Sequence, residues 1–263
     1  MPDLGKASGT DVSGADIPGM DIPADASVHG QKVAGLFGNI AGVYDLLNRV
    51  FSLGIDALWR KKLAEACRPA MQGASGAASV VILDLAAGTL EVTKELVVRY
   101  PDATILATDF CLPMLKVGQN KKPLRGARVL PVVGNALSLP LADSSVRAIT
   151  VAFGLRNFKP RGMALKEAFR VLQPGGMVCV LEFGSARDKI LFGLYNWYLA
   201  RVLPLVGRLA SRDKEAYQYL ADTIQAFPSA DELCREFEDA GFVQVGFTRY
   251  TGGIVCIHCG RKQ

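Results

Sequence analysis

Histidine is scarce in this chain, with only His29 and His258 among 263 residues. "CIHC" at residues 256–259 has no second Cys/His pair to complete a tetrahedral donor set, so no metal is expected. His29 falls in an N-terminal tail and His258 in a closing strand, where packing is the expected role, so neither imidazole is placed to act as a base. The six cysteines (Cys67, Cys111, Cys179, Cys234, Cys256, Cys259) are scattered through mostly apolar segments, as free thiols of a cytoplasmic protein are. No block of like charge exists. The net charge of +5 is spread along the chain, which argues against nucleic acid and leaves only a mild attraction to anionic membranes or ligands. Acids and glycines stand where a signal peptide would be apolar. Residues 1–30 lack aromatics and periodicity and read as a disordered tail. The apolar stretch 190–209 has the length of a membrane span, but Arg201, Pro204 and Arg208 interrupt it. A cap over an apolar substrate, an interfacial helix, or a core or homodimer face are the readings left.

Half of the composition is hydrophobic, enough for one sizeable core, so a single domain over residues 31–263 is expected. Residues 31–70 repeat their apolar positions at three and four and form an N-terminal helical cap. Beyond them, apolar runs at 80–86, 104–108, 128–133, 147–153 and 177–183 alternate with helical patterns at 91–100, 112–120 and 161–172. That alternation predicts βαβ units in a doubly wound, mostly parallel sheet with helices on both faces. "QPGG" at 173–176 reads as a turn feeding the fifth strand. The alternation breaks over 190–228, taken as a helical insertion over the substrate site. A helix over 229–240 has Ser229 as N-cap and Gly241 as its stop. Strands at 242–250 and 253–259, joined by "TGG", form an antiparallel hairpin.

In such a sheet the ligand sits at the carboxyl ends of the strands. The first strand carries Asp84 and runs into a small-residue turn, Ala86, Ala87 and Gly88. Twenty residues past Thr89 comes Asp109, at the end of the second strand, where a carboxylate can accept both hydroxyls of a ribose. The turn is not GxGxxG: it holds one glycine, and Leu90 stands where another is common. A ribose ligand without a pyrophosphate, S-adenosyl-L-methionine above all, fits better, with Asn135 and Ala136 after the third strand near the adenine. An ordinary strand-to-helix turn with an exposed acid is the alternative.

The segments "YDLLN", "LDLAAGT", "GNALSLPLAD", "FGLRNF", "EAFRVLQPGGMVCVLEF", "AYQYLADTIQAFP" and "AGFVQVGFTRYTGGIVCIH", in this order, resemble the ubiquinone/menaquinone biosynthesis C-methyltransferase family over about residues 33–262. The resemblance implies a class I methyltransferase fold, Rossmann-like, with an antiparallel C-terminal strand. It implies S-adenosyl-L-methionine-dependent methylation of a ring carbon of a prenylated quinol, in the cytoplasm or peripheral on the inner face of the membrane. Position by position, it puts the cofactor on Thr89, Asp109, Asn135, Ala136 and Ala152, beside Asp84, Ala86 and Gly88 of the turn. Ala152 stands where the family more often has serine. Ala87 and Leu90 replace two family glycines and Glu91 an acid, so Leu90 is expected to weaken cofactor binding or reshape the turn.

A quinol hydroxyl titrates near the phenolic value of about 10, so a cation near its oxygen would favour the ionised form that makes the ortho carbon nucleophilic. Arg156 is the candidate, with Asn157 fixing the ring by a hydrogen bond; an ion pair holding the loop after strand four is the alternative for Arg156. Proton loss would run through a water partnered by Asp45, with Tyr44 and Asn48 sharing one helix face at i, i+4. A class I enzyme acting on a small oxygen or nitrogen acceptor, and a non-catalytic cofactor-binding subunit, stay open as other functions.

Overall fold

The structure, a computed structural model, describes residues 24–72, 80–121, 124–184, 193, 201, 219 and 222–263. Four helices precede the first strand: α1 (Ala24–Ile40), α2 (Tyr44–Phe51), α3 (Asp56–Ala66) and α4 (Arg68–Met71). The remainder runs β1 (Val81–Leu85), α5 (Glu91–Arg99), β2 (Thr104–Asp109), α6 (Leu112–Gln119), β3 (Val129–Val133), β4 (Val146–Ala152), α7 (Arg161–Val171), β5 (Leu172–Phe183), α8 (Ala230–Asp239), β6 (Val243–Tyr250) and β7 (Val255–Arg261). The expected tail is too long by one helical segment, because α1 starts at Ala24 and Ala26 is already buried. Residues 1–23, and 190–209 apart from positions 193 and 201, lie outside the described residues. Among the described residues no helix is long and apolar enough to cross a membrane.

The seven strands form one sheet in the order β3-β2-β1-β4-β5-β7-β6. β1 to β5 pair in parallel, and β7 runs antiparallel to both neighbours. Successive side chains of a strand point to opposite faces, and the two halves of the core follow that parity. Leu83, Ile149 and Val178 lie on one face with Leu165 of α7 and Phe237 of α8. Ile82, Ala148 and Cys179 lie on the other with Leu63 of α3 and Leu96 of α5. Strands buried on both faces need continuous apolar runs, which is why β1, β4 and β5 were legible.

Two local features differ from or complete the sequence reading. "QPGG" belongs to β5 itself: Val146 pairs with Leu172, and the next pair is Ala148 with Met177, so the extra residues are absorbed as a bulge. Gly175 takes φ 74° there, and a side chain at Gly176 would meet the Gln173 and Arg147 carbonyl oxygens at 2.8 and 2.9 Å. The Ser229 cap is a full capping box, with the Glu232 carboxylate accepting from the Ser229 backbone N–H at 2.8 Å. β7 parity also separates "CIHC": Cys259 meets Cys179 on one face, while His258 faces the other, stacks on Phe247 and contacts the Ala230 carbonyl oxygen.

Parity puts Asp84 on the Ile82 face, under α5, where the Thr93 and Thr150 hydroxyls donate to its two oxygens at 2.6 and 2.9 Å. Burial pushes its carboxyl up to about 6 from the usual 3.8, against the pull of those two hydroxyls. Between these values the folded chain keeps a proton that the unfolded chain has released. Stability therefore falls as pH rises through that window, by a total of about 3 kcal/mol above it. Asp84→Asn is expected to flatten this slope and to leave the fold at least as stable at neutral pH. Urea unfolding of both proteins between about pH 4 and about pH 7 checks it, and equal slopes would refute it.

Candidate active site

At the carboxyl ends of β1 to β4 lies a cavity with about 870 Å³ of empty space, its open mouth included. Its floor is the β1–α5 turn, where Ala86, Gly88 and Leu90 have φ of 57°, 54° and 65°. For Ala86 and Leu90 that left-handed backbone costs about 1–2 kcal/mol each. Gly154, just past β4, lets the turn close down: a Cβ there would sit 2.5 Å from that of Ala86. Asp109, at the end of β2, lines the cavity and accepts from the Gly88 and Cys111 backbone N–H groups, each at 2.7 Å. Burial raises its carboxyl above the usual range, and the Cys111, Gly88 and Phe110 backbone N–H groups oppose that shift. Those bonds do not exhaust the carboxylate's roughly four lone-pair sites, so it can still accept from a ribose hydroxyl.

Ala86, Gly88, Asp109, Asn135 and Ala136 all line this cavity. The Asn135 amide oxygen accepts from the Leu137 N–H at 3.0 Å, which fixes the turn after β3. Asp84, Thr89 and Ala152 do not line it. Asp84 faces α5 for the reason of parity given above, and Ala152, two residues past Thr150 on the same face, packs with the α3 side of the core. Thr89 is buried and donates its hydroxyl to Asp45. Asp45 is corrected with it: its carboxylate is paired with Lys121 Nζ at 2.7 Å, and Lys121 also holds Glu91 at 2.5 Å and the Thr89 carbonyl at 2.6 Å. This cluster clamps α2 onto the β1–α5 turn and puts Asp45 outside both described cavities.

The expectation for Leu90 also changes. Its side chain is fully buried among Ala87, Ala107, Leu115 and Leu124, under α6, and does not enter the cavity. Gly118 of α6 makes the room, since a Cβ there would lie 2.4 Å from Leu90 Cγ and 2.8 Å from the Thr89 backbone. Gly118→Ala is expected to cost about 1–3 kcal/mol by overpacking and to lower the melting temperature by several degrees. An unchanged melting temperature would refute this packing.

Beyond β4, a 3-10 turn spans Leu155–Asn157. Arg156 is buried and ion-paired with Glu182 at the end of β5, its Nη1 lying 3.2 and 3.0 Å from the two carboxylate oxygens. The Arg156 backbone N–H donates to the same carboxylate, and the guanidinium lies near the Phe153 and Phe183 rings. The ion pair weighed in the sequence is therefore present, and Arg156 is no lone cation. Asn157 lines the first cavity, and its amide oxygen accepts from the Tyr219 hydroxyl at 3.1 Å.

A second cavity, with about 560 Å³ of empty space, its open mouth included, is lined by Arg156, Tyr219, Thr223, Asn48, Tyr44 and apolar residues of α1 and α2. Phe37 and Tyr44 line both cavities, so the two adjoin.

His29, placed in the tail from sequence, is in α1 and in the wall of the first cavity. Its Nε2 lies 3.2 Å from the Asn157 carbonyl oxygen. A carbonyl can only accept, so Nε2 carries the hydrogen and Nδ1 keeps a lone pair. Burial, then Lys159, lowers its pKa, which favours the neutral ring and weakens it as a base. Glu182, Lys121 and His29 are the groups that sequence reading missed. Only Glu182 carried a signal, an acid at the carboxyl end of an apolar strand.

A model of the ubiE/COQ5 methyltransferase family matches residues 25–262. The ubiquinone/menaquinone biosynthesis C-methyltransferase UbiE of Shewanella oneidensis is 38% identical over 243 residues, covering 90% of this chain and 93% of its own. The demethylmenaquinone methyltransferase of Corynebacterium kroppenstedtii is 40% identical over 233 residues, covering 88% and 95%. Among solved structures, a SAM-dependent methyltransferase of Thermotoga maritima superposes with a TM-score of 0.59 at 17% identity, covering 87% of this chain and 99% of its own. One from Aquifex aeolicus gives 0.50 at 18% identity, covering 69% and 81%. The solved structures share the class I methyltransferase fold with this chain; the family match and the two relatives span nearly all of it, and the chain belongs to the ubiE/COQ5 methyltransferase family.

Proposed function

We propose that this protein methylates a ring carbon of a prenylated quinol, using S-adenosyl-L-methionine, in respiratory quinone biosynthesis. What supports the reading beyond family membership is one arrangement: a cavity whose fixed carboxylate, Asp109, suits a ribose adjoins a second cavity that has apolar residues of α1 and α2 on one side and a buried arginine in its lining. S-adenosyl-L-methionine would supply an electrophilic methyl group and leave as the neutral thioether, while the ring carbon that takes the methyl gives up its proton. The chain's part is alignment and electrostatics. Asp109 holds the ribose, Ala86 and Gly88 let the backbone approach, and Asn135 and Ala136 flank the base. Tyr44 stands between donor and acceptor, while Asn157 carries the bonds to Tyr219 and His29 that set the wall between the cavities. His29 Nδ1 is the acceptor for the proton. Arg156, although paired, presents N–H groups to a developing quinolate oxygen.

The prenyl chain of such an acceptor brings the enzyme to a membrane surface, and the +5 charge favours an anionic one. Incubation with methyl-labelled S-adenosyl-L-methionine and, separately, a prenylated naphthoquinol and benzoquinol tests the function. A product with a new carbon–methyl bond is expected. Methylation confined to oxygen, or none with either acceptor, would overturn it.

A further inference from the structure

Buried polar groups are nearly always hydrogen-bonded, and one left alone costs stability unless a ligand completes it. Among the described residues three buried side-chain atoms have no partner: Asn48 Nδ2, Arg156 Nε and His258 Nδ1. The last belongs to β7, in the C-terminal hairpin. The first two belong to residues that line the same second cavity, reached from different elements, α2 and the turn after β4. Both are N–H donors. Arg156 is 6% exposed, so water does not satisfy it readily.

Around them the wall is mostly apolar, with Leu36, Ile40, Leu47 and Phe51, and Tyr44, Tyr219 and Thr223 are its hydroxyl-bearing members. Both nitrogens are sealed from the cavity as the side chains stand, so a ligand oxygen meets them once the Asn48 amide and the guanidinium turn toward it; two such donors beside a mostly apolar wall describe a ligand with a compact polar head bearing oxygens and a hydrocarbon remainder.

Resting on the function proposed above, we infer that the second cavity is the acceptor site and that Asn48 is a substrate-binding residue, its amide N–H donating to a ring oxygen of the quinol while Arg156 Nε donates to the same head group. The isoprenoid chain lies along Leu36, Ile40, Leu47 and Phe51. Tyr44, one helical turn before Asn48 and shared by both cavities, stands where ring and methyl donor meet. Asp45 on the same helix faces the Lys121 clamp instead, so α2 divides its polar residues between anchoring and recognition.

Asn48→Leu separates recognition from scaffolding. It keeps the branched shape, with somewhat greater bulk beside the cavity, and removes the unpaired donor, so a purely structural Asn48 predicts a melting temperature close to or above the wild type and unchanged kinetics. A recognising Asn48 predicts the same stability and the same S-adenosyl-L-methionine affinity, but a KM for prenylated quinol raised about ten- to hundredfold. Asn48→Asp, which puts a carboxylate against the ring oxygen, should be at least as impaired and serves if the leucine variant does not fold. The wild-type protein, assayed alongside, tests the function itself: no carbon methylation by it sinks that reading, whereas normal wild-type turnover with an unchanged KM in a folded Asn48 variant overturns the inference alone.

Discussion

Asp109→Asn is expected to weaken S-adenosyl-L-methionine binding about a hundredfold or more while the fold survives. Two hydrogen bonds from ribose hydroxyls to a carboxylate contribute about 1.5–3 kcal/mol each, and each 1.4 kcal/mol is tenfold in affinity. The asparagine keeps the volume and one acceptor oxygen but puts an NH2 where the second oxygen received the Gly88 or Cys111 N–H. Asp109→Ala should lose both the ligand bonds and the brace on the β1–α5 turn, and so show a lower melting temperature as well. Calorimetric titration against S-adenosyl-L-methionine and against its 2′-deoxy analogue isolates the ribose contact. The wild-type protein should discriminate strongly between the two, and Asp109→Asn should nearly cease to. Equal discrimination by both proteins would remove Asp109 from ribose recognition. A mild acid dependence should accompany this: with its carboxyl raised by burial, Asp109 loses charge, and with it cofactor affinity, at a higher pH than an exposed aspartate would.

That Asp109 could be singled out from the sequence, and that Thr89 and Asp45 were misplaced, has one physical origin. Strand ends are set by local patterns: an apolar run, a terminal acid and a following turn place Asp109 at the edge of the sheet without knowledge of any partner. Parity then decides which face a residue takes, and counting from Ile82 would have put Asp84 under α5. Ion pairs have no such local rule. Lys121 reaches Asp45 across 76 positions, and Arg156 reaches Glu182 across 26, through loops whose closure leaves no periodic trace. Leu90 is the instructive case. Read as a bulky stand-in for glycine it suggested a blocked turn, but its left-handed backbone sends the side chain into the space above Gly118, a position 28 residues away with no reason to be read together with it. His29 was lost to composition. A stretch with few apolar residues looks like tail, although α1 needs only Ala26, Val33, Ala34 and Phe37 to lie over the cavity.

Arg156 is where pairing and catalysis compete, and one substitution cannot separate them. Replacing either member of a buried ion pair leaves the other charge uncompensated and costs about 3–5 kcal/mol, so Arg156→Ala and Glu182→Ala are each expected to unfold at markedly lower denaturant. The double variant Arg156→Met/Glu182→Leu removes both charges and fills their volume, a change that is often neutral or stabilising. It should recover much of the loss but stay short of the wild type, because the Arg156 and Phe183 backbone N–H groups lose the Glu182 carboxylate as acceptor, with a coupling energy well above the few tenths seen for independent sites. Cofactor affinity should stay close to wild type, because Arg156 lines the second cavity and not the first. Turnover then decides the role. If Arg156 donates to the developing quinolate oxygen, the stable double variant should remain about a hundred- to a thousandfold slow, the usual loss for one preorganised donor. Arg156→Lys, which keeps a charge against Glu182 but has no Nε fork, should fold and fall between the two in rate. A double variant that regains both stability and full turnover would make the pair a brace for the turn after β4 and nothing more.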